Sequence, residues 1–452
     1  MGGHDYTAPC IGMRGPMMWH RASLVALLVL SASGCSEENT NLEPEMTSDA
    51  ELRLGSDLGE TTGGSDTGLL EIDASDAERP GADAERPRAD AGVVPGDASD
   101  AGIVIDQGPI TEADMAMVPD AMVVVDAAPV PDDPIEALFA EPTPEELNAI
   151  RADWSTWDVS VNDWTVLGEG EVRRIPFAVV SHRVDGNLHY GAVRYPADYQ
   201  PEGSYPVLVV NHGGGNGVGS NVFGGYSEGC YREFFIVAAS YRSEELRTGI
   251  DALGNLVSEG TSSVVDRDVS DVMALLSGVL ANMPGADPQR VAAHGGSRGA
   301  GVTALLVVRD PRIRRAGVYY GATNHIHPDV KAAILRRIET GRPVGNPVNQ
   351  TASRKVQAFI DGDLTFAEAR QALVRGSAVF FAEDLPRPYH HHHGTADRSV
   401  PVAQGRALAT RMTELGVGPP DFEYTEYEGG EHNPRTMPGS VDAIRELLCG
   451  IR

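Results

Sequence analysis

The sequence predicts an α/β fold, a mostly parallel central sheet with helices on both faces, and three observations carry that expectation. From about residue 172 onward, short β-branched or apolar runs alternate with stretches of helical spacing. A G-x-S-x-G pattern, Gly295-Gly296-Ser297-Arg298-Gly299, lies between one such run and a small-residue helix start. Three further glycine-bearing loops follow other strand-like runs, so the chemistry-bearing residues gather where strands end.

Taken in order, Val172–Ser181 and Leu188–Tyr195 read as opening strands, joined as an antiparallel hairpin through Asp185-Gly186-Asn187. Val207–Asn211 and Phe234–Ala239 are buried strands. Val264–Asn282 has apolar residues at helical spacing and is ended by Pro284-Gly285. Arg290–His294 is a strand, Ala300–Leu306 the helix after it, and Ala316–Tyr320 the next strand. Before the strand Tyr389–Gly394, helical stretches at Val330–Thr340, Ser353–Asp361 and Phe366–Phe381 form an insertion over about 325–385. Phe422–Tyr427 is a strand and Ala443–Leu448 a closing helix.

The elbow pattern lifts a serine hydroxyl out of a sharp strand-to-helix turn, where flanking glycines allow close backbone approach. A serine hydroxyl needs a base to become a nucleophile, and the base needs an orienting acid. Candidates follow in chain order. Asp397 lies in Gly394-Thr395-Ala396-Asp397-Arg398-Ser399-Val400-Pro401, and His432 in Glu428-Gly429-Gly430-Glu431-His432-Asn433-Pro434. Upstream, His212-Gly213-Gly214-Gly215 follows a strand, and the Gly214 and Arg298 amides are the expected oxyanion donors. The alternatives are a turn or cap role for Asp397 and a surface position for His432. The Arg298 side chain would either meet a substrate carboxylate or pair with an acid within the fold, and the second is the expectation.

These motifs, with Asp287-Pro288-Gln289-Arg290-Val291 before the elbow and the H-G-x-x-D-x-x-V-P run His393 to Pro401, resemble the catalytic domain of prolyl oligopeptidase family serine peptidases, within the α/β-hydrolases. The resemblance covers about Val172 to Arg452. It implies Ser297 as nucleophile, Asp397 as acid and His432 as base, and a lid role for the insertion. Phe359, Phe366, Phe380 and Phe381 would then either line a pocket or pack the lid onto the core. Two departures stand out: Asn433-Pro434 after the histidine, where glycine is common, and too little globular chain for the β-propeller of the best-known members.

The first third reads differently. Arg14, His20 and Arg21 precede the apolar run Ala22–Leu30, and Ser31-Ala32-Ser33-Gly34 leads to Cys35. The run is too short for a stable span and resembles a bacterial lipoprotein signal over residues 1–34, with Cys35 lipidated; ordinary secretion is the alternative. Residues 35–134 form an acidic Asp/Ala/Pro/Gly-rich linker, expected to be disordered. Residues 36–134 hold 25 Asp/Glu against 4 Lys/Arg, and so carry 21 of the chain's 29 net negative charges. The acidity is a linker property and argues against nucleic-acid binding. Residues 135–452 are the catalytic domain. Cys230 and Cys449 fit either one disulfide or two buried thiols.

The expected activity is that of an exported, membrane-anchored serine hydrolase acting on small peptides, with no metal or organic cofactor. Ester hydrolysis is the close alternative, and a non-catalytic binding domain the reading from another class. The run His390-His391-His392-His393 is internal and strand-like, so neighbouring rings face opposite ways and no single metal site is expected.

Overall fold

The computed structural model describes residues 132–342, 347–385 and 388–452. The expected signal segment, Cys35 and the linker up to residue 131 lie outside the described residues. Twelve strands are present among the described residues: β1 (Asn162–Val172), β2 (Ile175–Val184), β3 (Asn187–Arg194), β4 (Tyr205–Asn211), β5 (Val218–Gly219), β6 (Phe235–Ala239), β7 (Glu245–Arg247), β8 (Asn255–Val257), β9 (Ala286–Gly296), β10 (Ile313–Tyr319), β11 (Tyr389–Gly394) and β12 (Phe422–Tyr427). Nine form one sheet in the order β1-β2-β3-β6-β4-β9-β10-β11-β12, and β5, β7 and β8 form a small second sheet. The strands β1, β2, β3 and β6 pair antiparallel, and from β6 to β12 every pairing is parallel.

Alternation along the strands divides the interior into two cores. Val207, Val209, Phe235 and Val237 face one, while Leu208, Val210, Ile236 and Ala238 face the other. The first core is covered by α1 (Pro134–Leu138), α2 (Pro144–Trp154), α3 (Asp266–Asn282), α4 (Arg298–Arg309), the helices α5 (Pro328–Thr340), α6 (Pro347–Ile360) and α7 (Phe366–Arg375) of the insertion, and α8 (Ala403–Glu414). The second is closed by α9 (Ser440–Cys449) and short 3-10 turns.

The opening strands differ from the sequence expectation. The run Val172–Ser181 is divided by a turn at Arg173-Arg174, both left-handed at φ 50° and 63°. Two arginines give no turn signal of the Asn-Gly kind, so the break was hidden and β1 was missed altogether. Strand β1 is largely exposed at the sheet edge and carries Gly168 and Gly170, which weakens its strand pattern. At Gly170 a Cβ would lie 2.5 Å from the Phe177 ring, so glycine lets that ring cross the edge strand. The hairpin at Asp185-Gly186 is as expected.

The insertion is helical where expected, except that Phe366–Phe381 stops at Arg375 and continues as a 3-10 segment, Ala378–Asp384. It is bound to the N-terminal helices: Arg370 donates to the carbonyls of Leu138 (2.9 Å) and Ala140 and pairs with Glu146 (3.0 Å). Phe381 is fully buried against Trp154, ring centroids 4.7 Å apart. Phe359, Phe366 and Phe380 are partly buried against the same core. All four aromatics pack the insertion down.

Cys230 and Cys449 form a disulfide, with Cα atoms 6.0 Å apart, tying the 3-10 segment before β6 to the end of α9. Its two cysteines are separated by 219 residues. Loss of such a long-loop constraint in the Cys230→Ser/Cys449→Ser variant is expected to lower stability by about 2–4 kcal/mol. Urea denaturation of both forms checks this; superimposable curves would contradict it.

Candidate active site

The chain leaves β4 towards β6 on one side and returns to β9 on the other, so β4 and β9 are neighbours whose onward connections diverge. Such a switch point opens a crevice at the carboxyl ends of parallel strands. The register aligns those ends: Asn211 pairs with Gly295, Gly296 with Tyr319, Tyr319 with His392, and Gly394 with Tyr427. Residues following each position therefore meet on one rim. They are the His212–Gly215 loop, Ser297, Tyr320, the Asp397 loop and the His432 loop.

Ser297 sits between β9 and α4 with φ 58° and ψ −126°, a conformation that costs a non-glycine residue roughly 1–3 kcal/mol. The turn is held by packing that only glycine permits. A Cβ on Gly299 would lie 2.1 Å from the Asn211 carbonyl oxygen, and one on Gly295 2.3 Å from that of Gly299. Ser297 is half-buried, and its hydroxyl makes no hydrogen bond within the described residues. Arg298 opens α4, so its amide has no intrahelical acceptor and sits at the positive end of the helix dipole. The loop after β4 lies against the elbow, a Cβ on Gly213 falling 3.4 Å from Ser297 Cβ. Gly214 turns the chain with φ +68°.

His432 and Asp397 meet on the same rim. His432 Nδ1 lies 2.7 Å from Asp397 Oδ2. The carboxylate is fully buried, whereas the imidazole retains 21% exposure. Asp397 Oδ1 accepts from the Ser399 (2.8 Å) and Val400 (2.9 Å) amides, which fixes the carboxylate while leaving Oδ2 for the ring. Gly394 lets the two loops touch: a Cβ there would lie 2.2 Å from the Gly430 carbonyl oxygen. Asn433-Pro434, the departure noted after the histidine, forms a side-chain-capped 3-10 turn in which Asn433 accepts from the Arg435 amide.

Four features escaped the sequence reading. The Tyr320 ring lies against His432, tilted by 39° with ring centroids 4.1 Å apart, from a left-handed backbone at φ 41°. His393 Nε2 bonds the Val400 carbonyl at 2.9 Å and stands 3.6 Å from Asp397 Oδ2. Glu244 and Asp268 both pair with the Arg298 guanidinium, so that side chain has partners within the fold. Tyr320, directly after a strand end, and His393, four residues before Asp397 in the His393 to Pro401 run, had positional signals; Glu244 and Asp268 meet Arg298 only through tertiary contacts.

The histidine run on β11 alternates as expected: His391 stacks on His393 and His390 faces His392. Burial lowers His392 to about 4, and its Nδ1 lies 2.8 Å from the Tyr427 hydroxyl. Among the described residues no group of three or more His, Cys, Asp or Glu side chains is arranged to hold a metal.

Burial raises Asp268 to about 7, with Arg298 pulling in the opposite direction. The folded chain therefore holds this proton more tightly than the unfolded chain. The contribution is full below about pH 4 and is lost as pH rises through about 7. Asp268→Asn is expected to flatten the fall in stability between about pH 4 and pH 7, read from denaturation midpoints. An unchanged slope would refute the assignment.

No family model matches the sequence, and no curated protein matches it by sequence. Among solved structures, acetyl xylan esterase 1 from Thermoanaerobacterium sp. JW/SL YS485 is similar with a TM-score of 0.50 at 16% identity, over 71% of this chain and 99% of the esterase. The chain shares with that esterase an α/β fold built on a large, mostly parallel central sheet. Also similar are an acetyl xylan esterase from Paenibacillus sp. R4 (TM-score 0.46, 15% identity, 70% of this chain and 99% of that one) and a Mycobacterium tuberculosis puromycin-hydrolyzing peptidase (TM-score 0.42, 20% identity). The latter match spans 60% of this chain and 38% of the peptidase.

Proposed function

We propose that the domain is a serine hydrolase working through an acyl-enzyme. The observation that carries this reading is the strained Ser297 elbow on the same sheet rim as the His432–Asp397 pair at 2.7 Å. Ser297 Oγ attacks a carbonyl carbon while His432 Nε2 takes its proton, and Asp397 holds the Nδ1–H tautomer and stabilises the imidazolium. The Ser297 to His432 hydrogen bond forms in the substrate complex, where such contacts tighten. The Gly214 and Arg298 amides receive the oxyanion. His432 then protonates the leaving amine or alcohol, and water releases the acyl group by the same route.

Two substrate classes follow from different observations. Peptide amides follow from the motif resemblance around the elbow and the acid loop. Esters are supported by the fold similarity that spans 99% of the acetyl xylan esterase. Turnover of p-nitrophenyl esters and of aminoacyl anilides separates them: ester turnover without anilide turnover sinks the peptidase reading, and the converse sinks the esterase reading. The chain is further proposed to be exported and anchored through lipid on Cys35, the acidic linker carrying the domain clear of the membrane. Among the described residues no helix is long and apolar enough to cross a membrane. Palmitate incorporation in a bacterial host, retained in Cys35→Ala, would overturn the anchor.

A further inference from the structure

The Arg298 guanidinium is buried beneath the loop that follows β4. One nitrogen, Nη1, donates to the Gly214 carbonyl (3.1 Å) and to Glu244, and Nη2 donates to Asp268 Oδ2 (2.7 Å). The guanidinium also lies over the Tyr241 ring, 4.9 Å from its centroid. Tyr241 in turn stacks on His212 (centroids 4.0 Å, interplanar 19°), and its hydroxyl donates to the His212 carbonyl at 3.3 Å. Glu244 Oε2 accepts from the Gly217 amide (3.2 Å) and stands 3.7 Å from His212 Nε2. The loop 212–217 is therefore held at its start, middle and end by groups centred on one cation.

The peptide planes show what this does. His212 Nδ1 lies 3.0 Å from the Gly213 carbonyl, and burial lowers this histidine to about 4, so the ring is neutral with Nδ1–H as donor. A trans peptide points its C=O and N–H in opposite directions, so the Gly214 N–H points away from that ring. Arg298 holds the next plane through the Gly214 carbonyl. Glycine at φ +68° has no side-chain contact of its own to fix either plane, and a Cβ there would meet nothing within 4 Å. Both planes flanking the donor are set from outside, one of them by the residue whose own amide is the other donor. Asp268 and Glu244 hold the guanidinium charged against the opposing effect of burial.

We propose that the Arg298 side chain is a positioning residue that fixes the Gly214 amide towards the developing oxyanion, coupling the elbow to the oxyanion loop. The assignment rests on the serine hydrolase reading. Its effect belongs to the transition state, because the donor must face where charge develops and not the ground-state carbonyl.

The test uses the whole protein, with Arg298→Lys and the charge-compensated Arg298→Met/Asp268→Asn, assayed on p-nitrophenyl acetate and by inhibition with a trifluoromethyl ketone. Arg298→Lys keeps the buried charge, so it reports even where the double variant fails to fold. A point ammonium cannot serve the carbonyl and both carboxylates in the planar geometry of a guanidinium. Expected are kcat falls of ~10-fold for Arg298→Lys and ~100-fold for the double variant, with KM within ~3-fold and ketone affinity falling in step with kcat. Two results would overturn the proposal: kcat unchanged in folded Arg298→Lys, or loss that tracks thermal stability without loss of ketone affinity. A parent protein with no Ser297-dependent turnover sinks the hydrolase reading itself, and a working parent with unaffected variants sinks only the role of Arg298.

Discussion

Ser297→Ala is expected to abolish labelling by a fluorophosphonate probe and to lower ester or amide turnover by ~10⁴–10⁶-fold. The substitution removes one oxygen whose hydroxyl has no hydrogen bond within the described residues. Alanine keeps the Cβ that packs beside Gly213 and meets the same backbone strain at φ 58°. Stability should therefore stay within about 1 kcal/mol of the parent, so the loss reports chemistry and not folding. Labelling that persists in the folded variant would rule out Ser297 as nucleophile. A folded parent that is never labelled would favour the non-catalytic alternative.

Asp397→Asn is the second large effect. Asn keeps an oxygen for the Ser399 and Val400 amides, so the loop geometry survives. It presents an NH₂ where Oδ2 now faces His432 Nδ1 at 2.7 Å. The ring must then accept at Nδ1 and carry its proton on Nε2, which leaves no base facing Ser297. A fall in kcat of ~10³–10⁴-fold with KM changed only a few-fold is expected, measured by steady-state kinetics. A fall below ~10-fold would remove Asp397 from the mechanism.

Both predictions rest on residues legible in the sequence, because the local backbone demands particular residue types there. Gly295 and Gly299 are required by contacts near 2 Å to neighbouring backbone, and such contacts leave a pattern of fixed spacing. The buried parallel strands were legible for a similar reason, since two apolar faces leave continuous runs such as Val207–Val210. The edge strand β1 was not, because exposure leaves its side chains free to vary. The Arg173-Arg174 turn was hidden because its left-handed residues are held by the strands on either side.

The sequence by itself determined the fold class, the order of the candidate residues along the chain, and their places at strand ends. These depend on periodicity and on backbone sterics, which act over a few residues. Only the tertiary structure decided that Arg298 turns inward to Glu244, Asp268 and the Gly214 carbonyl, that the Tyr320 ring lies against His432, and that Cys230 meets Cys449. Those partners are brought together by sheet register and helix packing across 30 to 219 residues of chain. Contacts of that range impose no spacing on the sequence, and so they become visible only when the chain is folded.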